Sequence, residues 1–106
     1  MGCAACHVPS LPSPNGPVAA YTDLLLHETM PAGARGIEDA SASVREFRTA
    51  PLWGLRLSPP FMHDGAADTI DQAIRQHDGE AAASRDAYTA LSDADRANLI
   101  AFLESL

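Results

Sequence analysis

The sequence predicts a mainly α fold whose helices are joined by long ordered loops. Three observations carry that expectation. Ile70, Ala73, Ile74 and His77 fall at i, i+3, i+4 and i+7, one face of a helix that Asp68 or Thr69 can cap. Leu99, Ile100, Leu103 and Leu106 form a second apolar stripe, with Phe102 alongside. It lies in a stretch opened by Ser92 and Asp95, spaced as in a capping box with Asp in place of Glu or Gln. No run alternates apolar and polar residues, so nothing marks a sheet.

The 106 residues set an upper limit of one domain. A domain this small buries a modest share of its surface and often needs a metal, disulfides or a cofactor as a staple. The net charge of −7, with 14 acidic residues, seven arginines and no lysine, argues against nucleic acid as a partner. It favours encounter with a basic protein, although solubility alone also accounts for such a surface. No apolar run reaches membrane-spanning length, and no export signal precedes the first motif.

Residues 1–20 hold a Cys motif and then Pro9, Pro12, Pro14 and Pro17, which predict an extended loop. YTDLLLHETM, residues 21–30, is apolar enough to touch a core but too short to assign. Residues 31–44 are rich in Ala, Gly and Ser and read as surface loop. Pro51, Pro59 and Pro60 forbid a long helix over 45–62, while Trp53, Leu55, Leu57 and Phe61 predict a loop pressed on something apolar. The first helix is placed at about 69–77, a weaker one at about 80–90 and the last at about 93–105.

Cys3, Cys6 and His7 form Cys-x-x-Cys-His, the signature of c-type haem attachment. Two thiols three positions apart reach two carbons on one edge of a haem, and the next His binds iron. A thioredoxin-like motif would follow a strand in a βαβ unit, and a zinc site would want a second ligand pair. Neither context is present, though His27, His63 and His77 keep the zinc reading open. The motif predicts one covalent haem c and its iron, on His7. The expected fold is then cytochrome c-like. The helix that normally precedes the Cys motif in that fold is missing here, so the expectation is a fragment of a longer protein.

The strings CAACHVP, YTDLLLH, RTAPLWGL, FMHDGAADTIDQAI, QHDGEA and LSDADRANLIAFLESL span nearly the whole chain. Together they resemble the C-terminal haem domain of bacterial di-haem peroxidase-like proteins, in particular the di-haem thiol oxidoreductase branch. The resemblance implies a sixth iron ligand fourteen residues beyond His63, which is His77. The equivalent residue is commonly Met in the peroxidases, so His implies a bis-His haem of lower potential. The helical face reaches His77 independently, although a lone His there also serves as a core residue. Met62 is the runner-up ligand, against a role as core filler.

His63 is expected to fix the His-Asp-Gly turn, and His27 has no assigned role. Arg48 resembles the family's propionate-neutralising residue, with a solvated surface Arg as the alternative. Tyr21 and Tyr88 are further propionate candidates. Trp53, Leu55, Leu57 and Phe61 are expected to wall the haem.

Two classes of function follow. One is an electron relay to a second haem domain of the complete protein, or to another redox partner. The other is a catalytic peroxidase haem with a labile distal ligand, for which His63 or Glu80 is the acid or base by type alone. A free-standing mono-haem cytochrome fits the same ligands. Haem attachment of this kind is normally periplasmic, which sets the expected location.

Overall fold

A computed structural model describes all 106 residues. The chain opens on a 3₁₀ turn at Cys3–Ala5, followed by a proline-rich loop closed by a bridge between Leu11 and Val18. Two three-residue strands then pair antiparallel. They are β1, Leu26–Glu28, and β2, Glu46–Arg48, with Leu26 opposite Arg48, His27 opposite Phe47 and Glu28 opposite Glu46. A second 3₁₀ turn, Leu55–Leu57, and a bridge between Phe61 and Ala67 lead to the helices. These are α1, Ile70–Arg75, α2, Ala82–Thr89, and α3, Asp93–Glu104, with a 3₁₀ turn at Gly79–Ala81 running into α2. No helix is long and apolar enough to cross a membrane.

The expectation of a mainly α, cytochrome c-like fold is corrected. Only 33% of residues are helical, and a two-stranded sheet is present. Prolines and turns confine the longer helices to the last third of the chain. A three-residue strand is too short to display period-2 alternation. The strands pair because the loop over 29–45 folds back on itself. Gly36 makes that return feasible, since a Cβ there would collide with the Val44 carbonyl oxygen.

The helix ends follow local chemistry. Thr69 accepts the Gln72 amide while the Gln72 side chain accepts from the Thr69 amide, a full capping box at the start of α1. Ser92 accepts from the Asp95 amide and caps α3. Helix α1 stops at Arg75, before the expected His77. Beyond it the backbone turns away so that the Asp78 amide donates to the Thr29 carbonyl at 2.8 Å. Gly79, at φ +54°, abuts the Glu28 carbonyl in the same seam.

The core is thin. Ala20, Met30, Ala67, Ile70 and Tyr88 are its buried apolar residues, joined by Thr22 and Thr49. The accessible surface is 6690 Å². A compact monomer of 11.2 kDa is expected to expose about 5,700 Å². The radius of gyration is 14.0 Å, against about 12.9 Å for this length. The fold encloses less of itself than its size allows.

Tyr88 is the largest fully buried side chain, and its hydroxyl donates to Asp71 at 2.6 Å. Burial, then the Asp71 charge, pushes its pKa up to about 12, while Arg75 and then Tyr88 hold Asp71 below its usual value. The Tyr88 contribution is therefore whole below the unfolded pKa near 10 and is lost between 10 and 12. The Asp71 contribution is whole above about pH 4 and is lost as pH falls through its depressed value. Tyr88→Phe is expected to cost about 1 kcal/mol, a difference that stays level in denaturant titrations from pH 5 to 9 and shrinks below pH 4. Gly79→Ala should cost roughly 2 kcal/mol, from left-handed backbone plus the clash with Glu28. Gly33→Ala, at φ +90° in open space, should cost about half as much by the same assay.

Candidate functional site

The 3₁₀ turn at Cys3–Ala5 runs directly into Cys6 and His7; Cys3 and His7 line one cavity, while the Cys6 thiol lies within 4.8 Å of donor atoms of Asp23 and His27. The turn is closed by the His7 amide donating to the Cys3 carbonyl at 2.9 Å and the Ala5 amide donating to Gly2 at 2.9 Å. Both cysteines are free thiols, Cys3 exposed and Cys6 half-buried. Burial, then the charges of Asp23 and Glu80, pushes the Cys6 thiol up, so it stays protonated.

The half-buried His7 ring bonds through Nδ1 to the Tyr21 carbonyl at 3.0 Å. A carbonyl only accepts, so Nδ1 carries the proton and Nε2 keeps its lone pair. Burial pushes the imidazole below its ordinary pKa, and the nearby His77 and His27 add to that, against the Tyr21 bond. The neutral ring is the form a metal takes. Tyr21 sits at φ +53° and Leu24 at φ +61°, both strained for non-glycine residues. Between them, buried Thr22 donates to the Thr49 carbonyl at 2.7 Å and accepts the Leu24 amide at 2.9 Å. That pair of bonds holds the strained segment and aims the Tyr21 carbonyl at His7.

A cavity of about 230 Å³ lies against this turn, lined by Cys3, His7, Tyr21, Leu52, Leu99 and Phe102 among others. Tyr21 and Phe102 meet edge to face across its wall, 5.9 Å between centroids. The Cys3 thiol and the His7 imidazole beside an apolar lining, with the Cys6 thiol on the Asp23 side of the turn, are a donor set that fits a porphyrin iron. A second cavity of about 350 Å³ is lined by Leu55, Arg56, Phe61, Asp71 and Ile100 among others.

The remaining sequence candidates fall as follows. His77 is half-buried just past the end of α1, its Nδ1–H donating to the Ala73 carbonyl at 2.8 Å; its Nε2 makes no hydrogen bond, and the residue lines neither cavity. Met62 is half-buried at φ +70° and lines neither cavity named here. His63 bonds the Arg35 carbonyl through Nε2 at 2.8 Å and stacks on Phe47 at 4.3 Å, tying the His-Asp-Gly turn to the sheet. Arg48 is exposed and forms no ion pair. Trp53 is 55% exposed and Leu57 86%. Leu55 and Phe61 face the second cavity, and Tyr88 is tied to Asp71.

Sequence reasoning left Asp23 out and gave His27 no role. His27 bonds Asp23 through Nε2 at 2.7 Å and Glu80 through Nδ1 at 3.1 Å. Asp23, then Glu80, raises the imidazole pKa, so the ring is a cation between two anions. Burial works to raise Asp23, but His27 and the Leu25 amide hold it down at about 2. The Glu28 amide, then His27, keeps Glu80 below its usual value. Donor atoms of Cys6, Asp23 and His27 lie within 4.8 Å of one another, near enough for a metal ion. Both His27 nitrogens are already bonded to carboxylates, which makes the cluster an ion-paired imidazolium in this structure. The four-residue spacing of Asp23 and His27 was the only local signal.

Comparison with known proteins follows the same lines. Residues 1–106 match the model of the family described as "Di-haem oxidoreductase, putative peroxidase". The chain is also 31% identical, over 133 aligned residues, to cytochrome-c peroxidase IdrP2 of Pseudomonas sp. (strain SCT). The alignment covers 99% of this chain and 36% of that relative, so the chain spans about a third of the relative's length. No solved structure matches. The Cys-x-x-Cys-His turn with its apolar cavity thus belongs to a chain that is a member of the di-haem oxidoreductase, peroxidase-like family.

Proposed function

We propose that this chain is the electron-relay haem domain of a longer di-haem protein. Cys3 and Cys6 would hold one covalent haem c by thioether bonds, and His7 and His77 would ligate its iron. The haem supplies a one-electron couple, and the chain's residues set its ligation and surroundings. The observation that carries the reading is the matched state of the two imidazoles: each donates Nδ1–H to a backbone carbonyl and keeps Nε2 free. Haem and metal-ligating histidines are oriented in this way by their outer partners.

An iron to which two imidazoles of the chain were committed would suit electron transfer to a second haem rather than peroxide chemistry of its own. The family membership supports a haem-based redox role, and the relative's greater length leaves room for the second haem domain. Leu52, Leu99 and Phe102 keep water from one wall of the site. Arg35, Arg48 and Arg56 form no ion pair and are the arginines available to propionates. The protein is expected in the bacterial periplasm, where this haem attachment takes place.

Expression through a periplasmic haem-attachment system should give one haem per chain by pyridine haemochrome and a mass raised by one haem. The ferric spectrum should be six-coordinate low-spin. His77→Ala should convert it to high-spin, whereas Met62→Ala should leave it unchanged. His77→Met should raise the midpoint potential by roughly 0.1 V, a fraction of the range that axial ligands span. A colourless exported protein, or a spectrum indifferent to His77→Ala, overturns the reading.

A further inference from the structure

The bonds around His27 connect the two segments that carry the proposed iron ligands. Asp23 lies two residues after Tyr21, whose carbonyl orients His7. Glu80 lies three residues after His77. His27 bonds both carboxylates, and the other oxygen of Glu80 accepts the Glu28 amide at 2.8 Å. The Asp78–Thr29 backbone bond and the contact of Gly79 with Glu28 extend the same seam.

We infer that Asp23, His27 and Glu80 form a brace that positions His77 on the iron relative to His7, with His27 as its central positioning residue. The inference rests on the bis-His reading above and goes beyond it by naming what sets the second ligand's place. His77 alone has little to fix it. It sits past the end of a six-residue helix, and its ring is held locally by one bond to Ala73. The segment after it is tied down at Arg85, which donates to the His77 carbonyl and to Asp78, and at β1 through Glu80. The Glu80 tie is the side-chain link that leads back to the His7 side, with the Asp78–Thr29 backbone bond beside it.

The geometry also favours a brace over a surface ion pair. His27 and Asp23 side chains are only 18% and 12% exposed, so water screens their contact weakly. The chelated imidazole has no rotamer freedom left to lose once both nitrogens are bonded. Glu80 is more exposed, at 57%, but its carboxylate is fixed twice, by an imidazolium and by a backbone amide.

The test uses the haem-loaded protein. Outer partners of metal-binding histidines typically change affinity by about 10–100-fold when removed. His27→Gln should keep one haem per chain yet bind cyanide about tenfold faster, because cyanide must displace His77. The high-spin fraction of its ferric spectrum should rise in step. Glu80→Ala should do the same, and Glu80→Gln, which retains an acceptor for the Glu28 amide, should lose less. Arg45→Gln cuts the ion pair to Glu28 in the same strand without touching the brace, and should match the unaltered protein.

Wild-type cyanide rates in both His27→Gln and Glu80→Ala overturn the brace. An equal rise in Arg45→Gln also overturns it, since that would indicate general loosening of β1. His77→Ala run alongside separates the two levels. If it speeds cyanide binding and the brace variants do not, the brace alone fails. If it has no effect either, the ligand reading and the brace fall together.

Discussion

With seven residues buried out of 106, this chain has no core able to order its loops, and their order comes from hydrogen bonds instead. Of 50 backbone–backbone bonds, 30 lie in turns, loops and caps rather than within helices and strands. A chain of this length is expected to form about 70 such bonds in all. The shortfall and the excess surface both reflect a chain with little regular structure and little buried area. A large apolar cofactor tethered at Cys3 and Cys6 would supply contact area that the side chains do not. The cavity beside His7 has an apolar lining, with Leu52 and α3 as its wall.

The loops that matter are over-determined by polar groups. Thr22 is fully buried and is bonded on both sides, which keeps Tyr21 and Leu24 in left-handed conformations that cost of order 1–3 kcal/mol each. Asp64 accepts the Ala66 amide within the His-Asp-Gly turn, and His63 ties that turn to the Arg35 carbonyl. A single lost bond in such a segment therefore displaces more backbone than its own energy suggests, because the relief of strain favours leaving the native conformation.

What was legible in the sequence follows from how local each signal is. Thr69 with Gln72 and Ser92 with Asp95 act within one turn, and both caps could be read directly, to within one residue at Thr69. The Cys3–Cys6–His7 motif was legible for the same reason, although the 3₁₀ turn at Cys3–Ala5 lies where an extended loop was expected. The strands were not, because Leu26–Glu28 and Glu46–Arg48 are too short for a period and pair across an intervening loop. His27 stayed unassigned because its partner Glu80 is 53 residues away and nothing in either segment names the other. Trp53 shows a different limit: its aromatic type is legible, but type alone does not give direction, and here it is 55% exposed.

The two imidazoles are oriented by the same kind of Nδ1 bond through unequal means. His77 donates to Ala73, four residues back, a bond that the end of α1 offers wherever that helix forms. His7 donates to Tyr21, fourteen residues on, and that carbonyl is in place only while a strained loop is held by Thr22 and Thr49. The His7 site therefore depends on tertiary structure, whereas the His77 ring is oriented locally but its distance from His7 is not. Fixing that distance requires a link between the loop over 21–28 and the turn over 77–81. The bonds of Asp23, His27 and Glu80, with the Asp78–Thr29 bond beside them, run across that gap.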